Sequence, residues 1–243
     1  MRQIFAATLL VLLAGCTTVE QGRASQPDRS AALARPASYV AASHLDATLF
    51  LPPPPAPDSL AQAADLAAVK ADQALKGQGR WTQAQSDDDA SPYSAFGTVL
   101  GSSFTPARTP KTAALFEVLF ADVKSQTAPA KEAFGRPRPA VVDSSIETCK
   151  LLEKTKAYPS GHASRGWMMA LVLSDMVPEK ANAILARGRD YGDSRVVCAQ
   201  HFPSDVEAGR MVGAAVYAAA KADSRFEADF AAAKAELRGA LGF

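Results

Sequence analysis

Two histidines and one aspartate lie in polar segments whose spacing suits nucleophilic catalysis. His201 and Asp205 are four residues apart, at a helix start that Pro203 and Ser204 predict. A carboxylate held against one imidazole nitrogen fixes the tautomer and leaves the other nitrogen free to attack. His162 lies in a second polar segment, where it could hand a proton to a leaving oxygen. A surface ion pair of little value is the simpler interpretation of His201 and Asp205 taken alone.

The second segment combines a glycine with a helix start. Pro159-Ser160-Gly161-His162 stands where a loop enters an apolar helix. Gly161 lets the backbone approach a ligand closely, and the first-turn N–H groups of a helix have no internal partner. Their partial positive charge makes a cradle for an anion. A lone histidine at this point would more often cap the helix or fill the core.

Three cations accompany these segments. Lys131, Arg138 and Arg195 stand beside prolines, glycines or the histidine. A phosphoryl group in transfer carries charge on its equatorial oxygens, which fixed cations and backbone donors stabilise. Each of the three, considered singly, would be a solvated surface residue. Their order along the chain, together with the histidines, favours one anion-binding site.

The combined motifs resemble the signature of the phosphatidic acid phosphatase type 2 and vanadium haloperoxidase superfamily. That signature occurs here as Lys131-x6-Arg138-Pro139, Pro159-Ser160-Gly161-His162 and Ser194-Arg195-x5-His201-x3-Asp205. Within the superfamily the chain most resembles the bacterial class A non-specific acid phosphatases. That likeness rests on Leu51-Pro-Pro-Pro-Pro-Ala, Tyr158-Pro-Ser-Gly-His, Gly166-Trp167 and Ser194-Arg195-Val-Val-Cys198, and it covers about residues 49–238.

The resemblance implies a reaction and a role for each matched residue. His201 becomes the nucleophile that forms phosphohistidine, His162 the general acid and base, and Asp205 the residue that orients His201. The phosphate is bound by Lys131, Arg138, Ser160, Gly161, His162 and Arg195. The family acts on a broad range of small phosphomonoesters such as nucleotides, without a metal or other cofactor. Arg136 precedes Arg138 as a second Arg-Pro unit with the wrong spacing from Lys131, so we expect it to be an outer contact.

Two other activities share these motifs. A lipid phosphate or diphosphate phosphatase acting at the membrane surface is one, and a vanadate-dependent haloperoxidase that holds vanadate on His201 is the other. Haloperoxidases are typically much longer chains than this one. The membrane-embedded lipid phosphatases have several transmembrane helices, whereas no stretch of about 18 apolar residues follows the N-terminal signal here. A non-catalytic lipoprotein would be expected to lack one of the histidines or the aspartate, and all three are present.

The rest of the sequence predicts helices. Alanine is abundant and few segments alternate strictly between polar and apolar residues. We therefore expect an all-α single domain built on a helical bundle. Helices are predicted over about residues 60–76, from 110 onwards, and over 160–177, 179–191, 204–221 and 225–238. We expect a polar break at 86–92, with Asp87-Asp88-Asp89 in a solvated loop or helix start rather than in a metal site.

The N-terminus has the pattern of an export signal. One positive charge precedes an apolar stretch, residues 4–13, that is too short to span a bilayer. Leu13-Ala14-Gly15-Cys16 resembles a lipobox, which predicts lipidation of Cys16 on the periplasmic side of the outer membrane or at the cell surface. An ordinary cleavable signal of a periplasmic protein is the alternative. Residues 1–15 are then a lipoprotein signal peptide, 16–48 a flexible tether and 49–243 the helical acid phosphatase domain.

Charge and cysteine content limit the partners. The formal net charge is +1, so no basic field predicts binding to a nucleic acid polymer. We expect contact with the membrane only through the lipid anchor. The sequence leaves two oligomeric states open, a monomer and a homodimer. Cys149 and Cys198 remain after Cys16; in an oxidising compartment they are either a disulfide or two buried thiols. The class A resemblance favours the disulfide, because those relatives carry matching cysteines.

Overall fold

The computed structural model describes residues 38–41 and 44–243. The α-helices in these ranges are α1 (Ala47–Phe50), α2 (Leu60–Asp72), α3 (Gly79–Asp88), α4 (Pro92–Leu100), α5 (Pro110–Phe134), α6 (Pro139–Val142), α7 (Gly161–Met176), α8 (Ala181–Val197), α9 (Pro203–Ala220) and α10 (Ser224–Leu241). Two short 3₁₀ turns span Gln73–Leu75 and Pro178–Lys180. The described ranges contain no strand, which confirms the all-α prediction. The predicted signal peptide, Cys16 and most of the predicted tether lie outside them.

Hydroxyl and carboxylate caps start several helices where the sequence predicts them. Ser59 accepts from the Gln62 N–H at the start of α2, and Ser160 accepts from the Ala163 N–H at the start of α7. Each bond satisfies an N–H group that has no partner inside the helix. Helix α8 extends further than the predicted residue 191, to Val197.

Four helices of the described residues were not predicted: α1, α3, α4 and α6. Helix α3 continues to Asp88, into the first residues of the 86–92 region expected to be a polar break, because side chains of α8 bind its polar face. Asp87 is buried and accepts from Arg187 on α8, and Trp81 and Ala84 pack into the interior. Local composition favours a loop here, and tertiary partners override it.

Small residues bring the central helices close together. A Cβ on Gly209 would collide with the Ser160 carbonyl, and one on Gly213 would collide with the Ser164 carbonyl. Helix α9 therefore lies directly against the first turns of α7. That contact places the segment containing His162 next to the segment containing Asp205.

The long helix α5 buries the face that helical spacing predicts. Leu115, Phe116, Leu119 and Val123 are each buried in the largest hydrophobic cluster. Helix α10 packs along α5 and adds Phe226 and Leu237 to that cluster. Glu236 of α10 accepts from the Lys111 N–H at 2.9 Å, which ties α10 to the start of α5.

The folded body begins earlier than residue 49. Tyr39 and Val40 are buried in the core, and the Tyr39 N–H donates to Asp122 on α5 at 3.1 Å. The Tyr39 hydroxyl donates to Asp229 on α10 at 2.7 Å. The C-terminal end of the segment predicted as a tether therefore packs on the helices, because it supplies apolar side chains that the core needs.

Within the described part of the chain, none of the helices is both long enough and apolar enough to traverse a lipid bilayer.

Candidate active site

An extended segment after α5 sends two arginines in opposite directions. Gly135 ends α5 in the left-handed conformation, with φ of 63°, and its N–H donates to the Lys131 carbonyl. Prolines follow both arginines and keep this segment out of a helix. Arg136 reaches toward Asp205, whereas Arg138 reaches toward His201.

The His201 ring lies between a carboxylate and a guanidinium. Its Nδ1 is 3.4 Å from Asp205 Oδ2, and its Nε2 is 3.3 Å from Arg138 Nη1. Because a guanidinium has no acceptor, Nε2 must carry the lone pair in this contact and Nδ1 the proton. The Nδ1 contact with Asp205 is close but not aligned as a hydrogen bond. The geometry therefore assigns Nε2 as the basic nitrogen that faces the cations.

Arg136 holds the carboxylate of Asp205. Its Nη1 donates to Asp205 Oδ1 at 2.5 Å, and its Nη2 donates to Asp65 Oδ2 at 2.7 Å. Asp205 Oδ2 also accepts from the Phe202 N–H at 2.8 Å. Arg136 is 5% exposed and contacts Asp205 from the side away from the cations, so it acts on the site through that carboxylate. Arg136 does not have the motif spacing from Lys131, and it bonds the Asp205 carboxylate on the Nδ1 side of His201, whereas Arg138 contacts Nε2.

Burial and neighbouring cations shift the titration of this pair. Burial lowers the pKa of His201 well below its usual value, and the charges of Lys131, Arg138 and Arg195 lower it further. Burial raises the pKa of Asp205, and Arg136 opposes that rise. The lowered pKa of His201 favours the neutral imidazole that an attacking nitrogen requires.

His162 lies in the first turn of α7. Its Nε2 is 3.2 Å from the Asp88 carbonyl oxygen, which can only accept, so Nε2 carries a proton. Its Nδ1 is 3.7 Å from Glu153 Oε1. Burial lowers the pKa of His162 to about 4, and the Glu153 carboxylate partly offsets this. The role of general acid implied for His162 therefore requires a further negative charge at the site.

Arg195 lies in the last turn of α8 and is fully buried. One terminal nitrogen pairs with Asp88, and Nη2 donates to Glu153 at 2.6 Å. The adjacent Ser194 hydroxyl donates to Asp87 at 2.6 Å. Asp87 and Asp88 are therefore partners of α8, and the prediction of a solvated loop or helix start is wrong for both.

Lys131 closes the site from the end of α5. Its ammonium donates to the Lys156 carbonyl at 2.5 Å and to the Ala157 carbonyl at 3.3 Å. Burial and the charge of Arg138 lower its pKa to about 8, so it stays cationic at neutral and acidic pH. Lys131, Arg138 and Arg195 are hereafter the cation cluster.

Gly161 contributes space to the cradle, which is formed by Ser160, Gly161 and His162. A Cβ added to Gly161 would have Thr127 Oγ1 as its nearest neighbour, at 4.0 Å. Packing among the described residues thus leaves room for a side chain there. That open space lets a ligand approach the backbone at this point.

Glu153 is the residue that motif analysis did not identify. Its Oε2 accepts from Arg138 at 2.6 Å and its Oε1 from Arg195 at 2.6 Å. An acidic residue shortly before a Pro-Ser-Gly-His segment was the only signal available. Asp88, Glu153 and His162 also have ligand atoms close enough to hold a metal ion together. Both carboxylates are already paired with guanidiniums, whose charge opposes a cation there.

The two cysteines of the folded part are bonded. The Cys149–Cys198 disulfide joins Cα atoms that are 4.7 Å apart, and Cys149 is 9% exposed. The Cys149 N–H also donates to the Cys198 carbonyl at 3.2 Å. The disulfide that the resemblance implies thus ties the segment with Glu153 to the segment with His201.

Comparison with known proteins places this chain in a family. Residues 112–227 match the family model of the PAP2 superfamily. The non-specific acid phosphatase of Salmonella typhimurium is 37% identical over 79% of this chain and 80% of its own. The acid phosphatase of Zymomonas mobilis is 36% identical over 81% of this chain and 77% of its own.

One solved structure shares the fold at lower identity. It is the first bacterial vanadium-dependent iodoperoxidase, with a TM-score of 0.58 and 18% identity. The alignment covers 73% of this chain and 53% of the peroxidase chain, so this chain spans about half of the peroxidase's length.

The family match and the identity to these relatives over about four fifths of the chain show that the chain belongs to the PAP2 superfamily. Within the superfamily it falls among the bacterial non-specific acid phosphatases, and it is a phosphatase enzyme of that type.

Proposed function

We propose that the protein hydrolyses phosphate monoesters through a phosphohistidine at His201, with His162 as general acid and base and without a metal. The observation that carries this proposal is the placement of the His201 ring. Its Nε2 faces Arg138 of the cation cluster, and its Nδ1 faces Asp205. A buried imidazole with one nitrogen supported and the other directed at cations is arranged to attack phosphorus.

In the first step, His201 Nε2 forms a bond to phosphorus and the ester P–O bond breaks. The imidazole becomes a cation with its proton on Nδ1, and the Asp205 carboxylate stabilises that charge. The cation cluster and the cradle bind the equatorial oxygens in the transition state. His162 gives the leaving oxygen its proton, so the alcohol departs neutral.

In the second step, water attacks phosphorus and the P–N bond breaks. His162 accepts one proton from the water, the hydroxyl group stays on phosphorus, and the electron pair returns to Nε2. Phosphate is released and His201 is again a neutral imidazole. The two steps together consume one water for each ester bond.

The low pKa of His162 is compatible with its role once substrate is present. A phosphomonoester carries about two negative charges near neutral pH, which is more than the single charge of the Glu153 carboxylate beside His162 in the free protein. Phosphate bound there therefore raises the pKa of the ring from its value of about 4. Substrate thereby favours the protonated form that the first step needs. This coupling suits an enzyme that works in the acidic range.

The fixed cations supply charge that a metal would otherwise provide. Lys131 and the two arginines are held by carbonyls and carboxylates of the protein. Small phosphomonoesters such as nucleotides are the proposed substrates. The chain is proposed to act in the periplasm as a lipoprotein anchored at Cys16.

The proposal is tested with His201→Ala and a matched control, His44→Ala, on the mature chain. His44 is exposed and lies outside the site. We expect His201→Ala to lose at least about 10³-fold in kcat on p-nitrophenyl phosphate, while His44→Ala behaves as wild type. We also expect full activity in the presence of a chelator. Near-normal turnover by His201→Ala, or a full metal requirement, would overturn the proposal.

A further inference from the structure

The Glu153 carboxylate occupies the centre of the cation cluster. Its two oxygens lie 2.6 Å from a nitrogen of Arg138 and 2.6 Å from a nitrogen of Arg195. The same carboxylate is 3.7 Å from His162 Nδ1. Two oxygens on two guanidiniums, with a histidine beside them, are the contacts that a phosphate group would make in this place.

The nucleophile is closed to solvent in this arrangement. His201 is 1% exposed and Arg138 is 2% exposed, whereas the side chain of Glu153 is 33% exposed. Glu153 therefore lies on the solvent side of both guanidiniums. A phosphate cannot contact Arg138 and Arg195 together while that carboxylate remains between them.

Both guanidiniums keep other partners if Glu153 moves away. Arg138 Nε donates to the Thr155 carbonyl at 2.8 Å, and its Nη1 donates to the Gln200 carbonyl at 2.7 Å. Arg195 is paired through its other terminal nitrogen with Asp88 on α3. Glu153 is thus not needed to hold either arginine in place.

The segment that carries Glu153 is anchored beside the site. Cys149 is bonded to Cys198, and the Glu153 N–H donates to Gln200 Oε1 at 3.2 Å. Gln200 Nε2 donates back to the Leu151 carbonyl at 3.1 Å. A fixed backbone keeps the carboxylate within reach of the arginines, so it can leave and return through side-chain rotation.

We propose that Glu153 is an affinity-limiting residue that competes with phosphate for Arg138 and Arg195. Substrate displaces the carboxylate, and the carboxylate displaces product. The residue therefore lowers the affinity of the site for every phosphate group. This inference rests on the proposed function, since it takes the cation cluster to be the phosphate site.

The test measures binding of inorganic phosphate by isothermal titration calorimetry on the mature chain, without turnover. Glu153→Gln keeps the shape of the side chain and removes its charge. The matched control is Glu147→Gln, which lies on the same segment and pairs with the distant Lys76. Glu153→Asp keeps the charge on a shorter side chain that cannot bridge both guanidiniums.

We expect Glu153→Gln to bind phosphate about tenfold more tightly, because one charged competitor for the guanidiniums is lost. Glu153→Asp should be intermediate, and Glu147→Gln should match wild type. In steady-state assays, inhibition by product phosphate should strengthen by the same factor in Glu153→Gln.

Unchanged or weaker phosphate binding in both Glu153 variants would overturn the inference, and weaker binding would make Glu153 a residue that positions the arginines. Failure of the proposed function is separate. It would appear as undiminished turnover by His201→Ala, whatever the phosphate affinity of the Glu153 variants.

Discussion

Arg136 Nη1 donates a hydrogen bond to Asp205 Oδ1 at 2.5 Å, which is the carboxylate oxygen that does not face His201. The second oxygen, Oδ2, is the one that lies 3.4 Å from His201 Nδ1. Both partners are buried, with side-chain exposures of 4% and 0%. Arg136 therefore orients Asp205 and, through it, the histidine.

Replacing Arg136 should affect both stability and catalysis. Arg136→Ala leaves Asp205 and Asp65 without their shared cation, so we expect the free energy of unfolding to fall by about 3–5 kcal/mol. Burial then raises the pKa of Asp205 against less opposition, with only the Phe202 N–H and Lys131 left to lower it, so the acid limb of the kcat profile should move to higher pH. Urea unfolding and a pH–rate series measure the two effects.

Two variants make that test specific. Arg136→Lys keeps the charge but cannot bond both carboxylates, and it should recover only part of kcat. Arg189→Gln removes an arginine that is 73% exposed and 4.0 Å from Asp193, and it should change nothing. An acid limb that stays in place in Arg136→Lys and Arg136→Ala would show that Arg136 has a purely structural role.

Loss of His162 should depend on the leaving group. p-Nitrophenolate leaves readily without a proton, whereas an alkoxide does not. We expect His162→Ala to lose about 10²-fold in kcat on p-nitrophenyl phosphate and about 10⁴-fold on an alkyl phosphate such as glycerol phosphate. Equal losses on the two substrates would count against the acid role.

The buried neutral His201 should make the fold sensitive to acid. Its pKa in the folded protein is well below 6.5, so below pH 6.5 the unfolded chain binds a proton that the folded chain does not. Stability is therefore complete above pH 6.5 and is lost as pH falls toward the folded pKa. The contribution of this residue is up to about 1.4 kcal/mol per pH unit.

Urea unfolding at pH 7, 6 and 5 measures that slope. His201→Gln should lose less stability per pH unit than wild type, and the exposed His44→Gln should have the wild-type slope. Identical slopes for His201→Gln and wild type would show that His201 is protonated in the folded protein over this range.

The disulfide closes a loop with a sequence separation of 49 residues. Fixing a loop of that length removes entropy from the unfolded chain, worth about 4 kcal/mol. We expect Cys149→Ser/Cys198→Ser to lower the free energy of unfolding by up to that amount, measured by urea unfolding. A variant as stable as wild type, with wild type insensitive to reductant, would contradict a structural role for the bond.

The sequence predicted the helical class and most of the candidate site residues because each signal, a cap residue or a short spacing, lies within a few neighbouring residues. Ser160 is a residue type that caps helices, and it predicted the start of α7. Pro203 and Ser204 predicted the start of α9, which places His201 just before that helix and Asp205 in its first turn. What could not be predicted depended on distant partners. Asp87 reads as a solvated residue until Arg187 and Ser194 of α8 are brought to it.

Arg136 and Glu153 show the same limit at the site itself. Arg136 lies 69 residues from Asp205 in sequence, and Glu153 lies 42 residues from Arg195. Motif spacing does not indicate whether an arginine will contact the nucleophilic nitrogen of a histidine or the carboxylate behind it. It also does not indicate that a carboxylate will occupy an anion-binding site. These contacts are set by how α5, α8 and α9 meet.

The central claim is that phosphate is transferred through His201, and the most direct measurement is to trap the covalent intermediate. Wild-type enzyme and His201→Ala are mixed with radiolabelled substrate, quenched in alkali within milliseconds, digested and mapped by mass spectrometry. We predict acid-labile, alkali-stable phosphate on the peptide containing His201 in wild type, and none in His201→Ala. Phosphate on another residue, or turnover in wild type with no labelled protein at any quench time, would contradict the account.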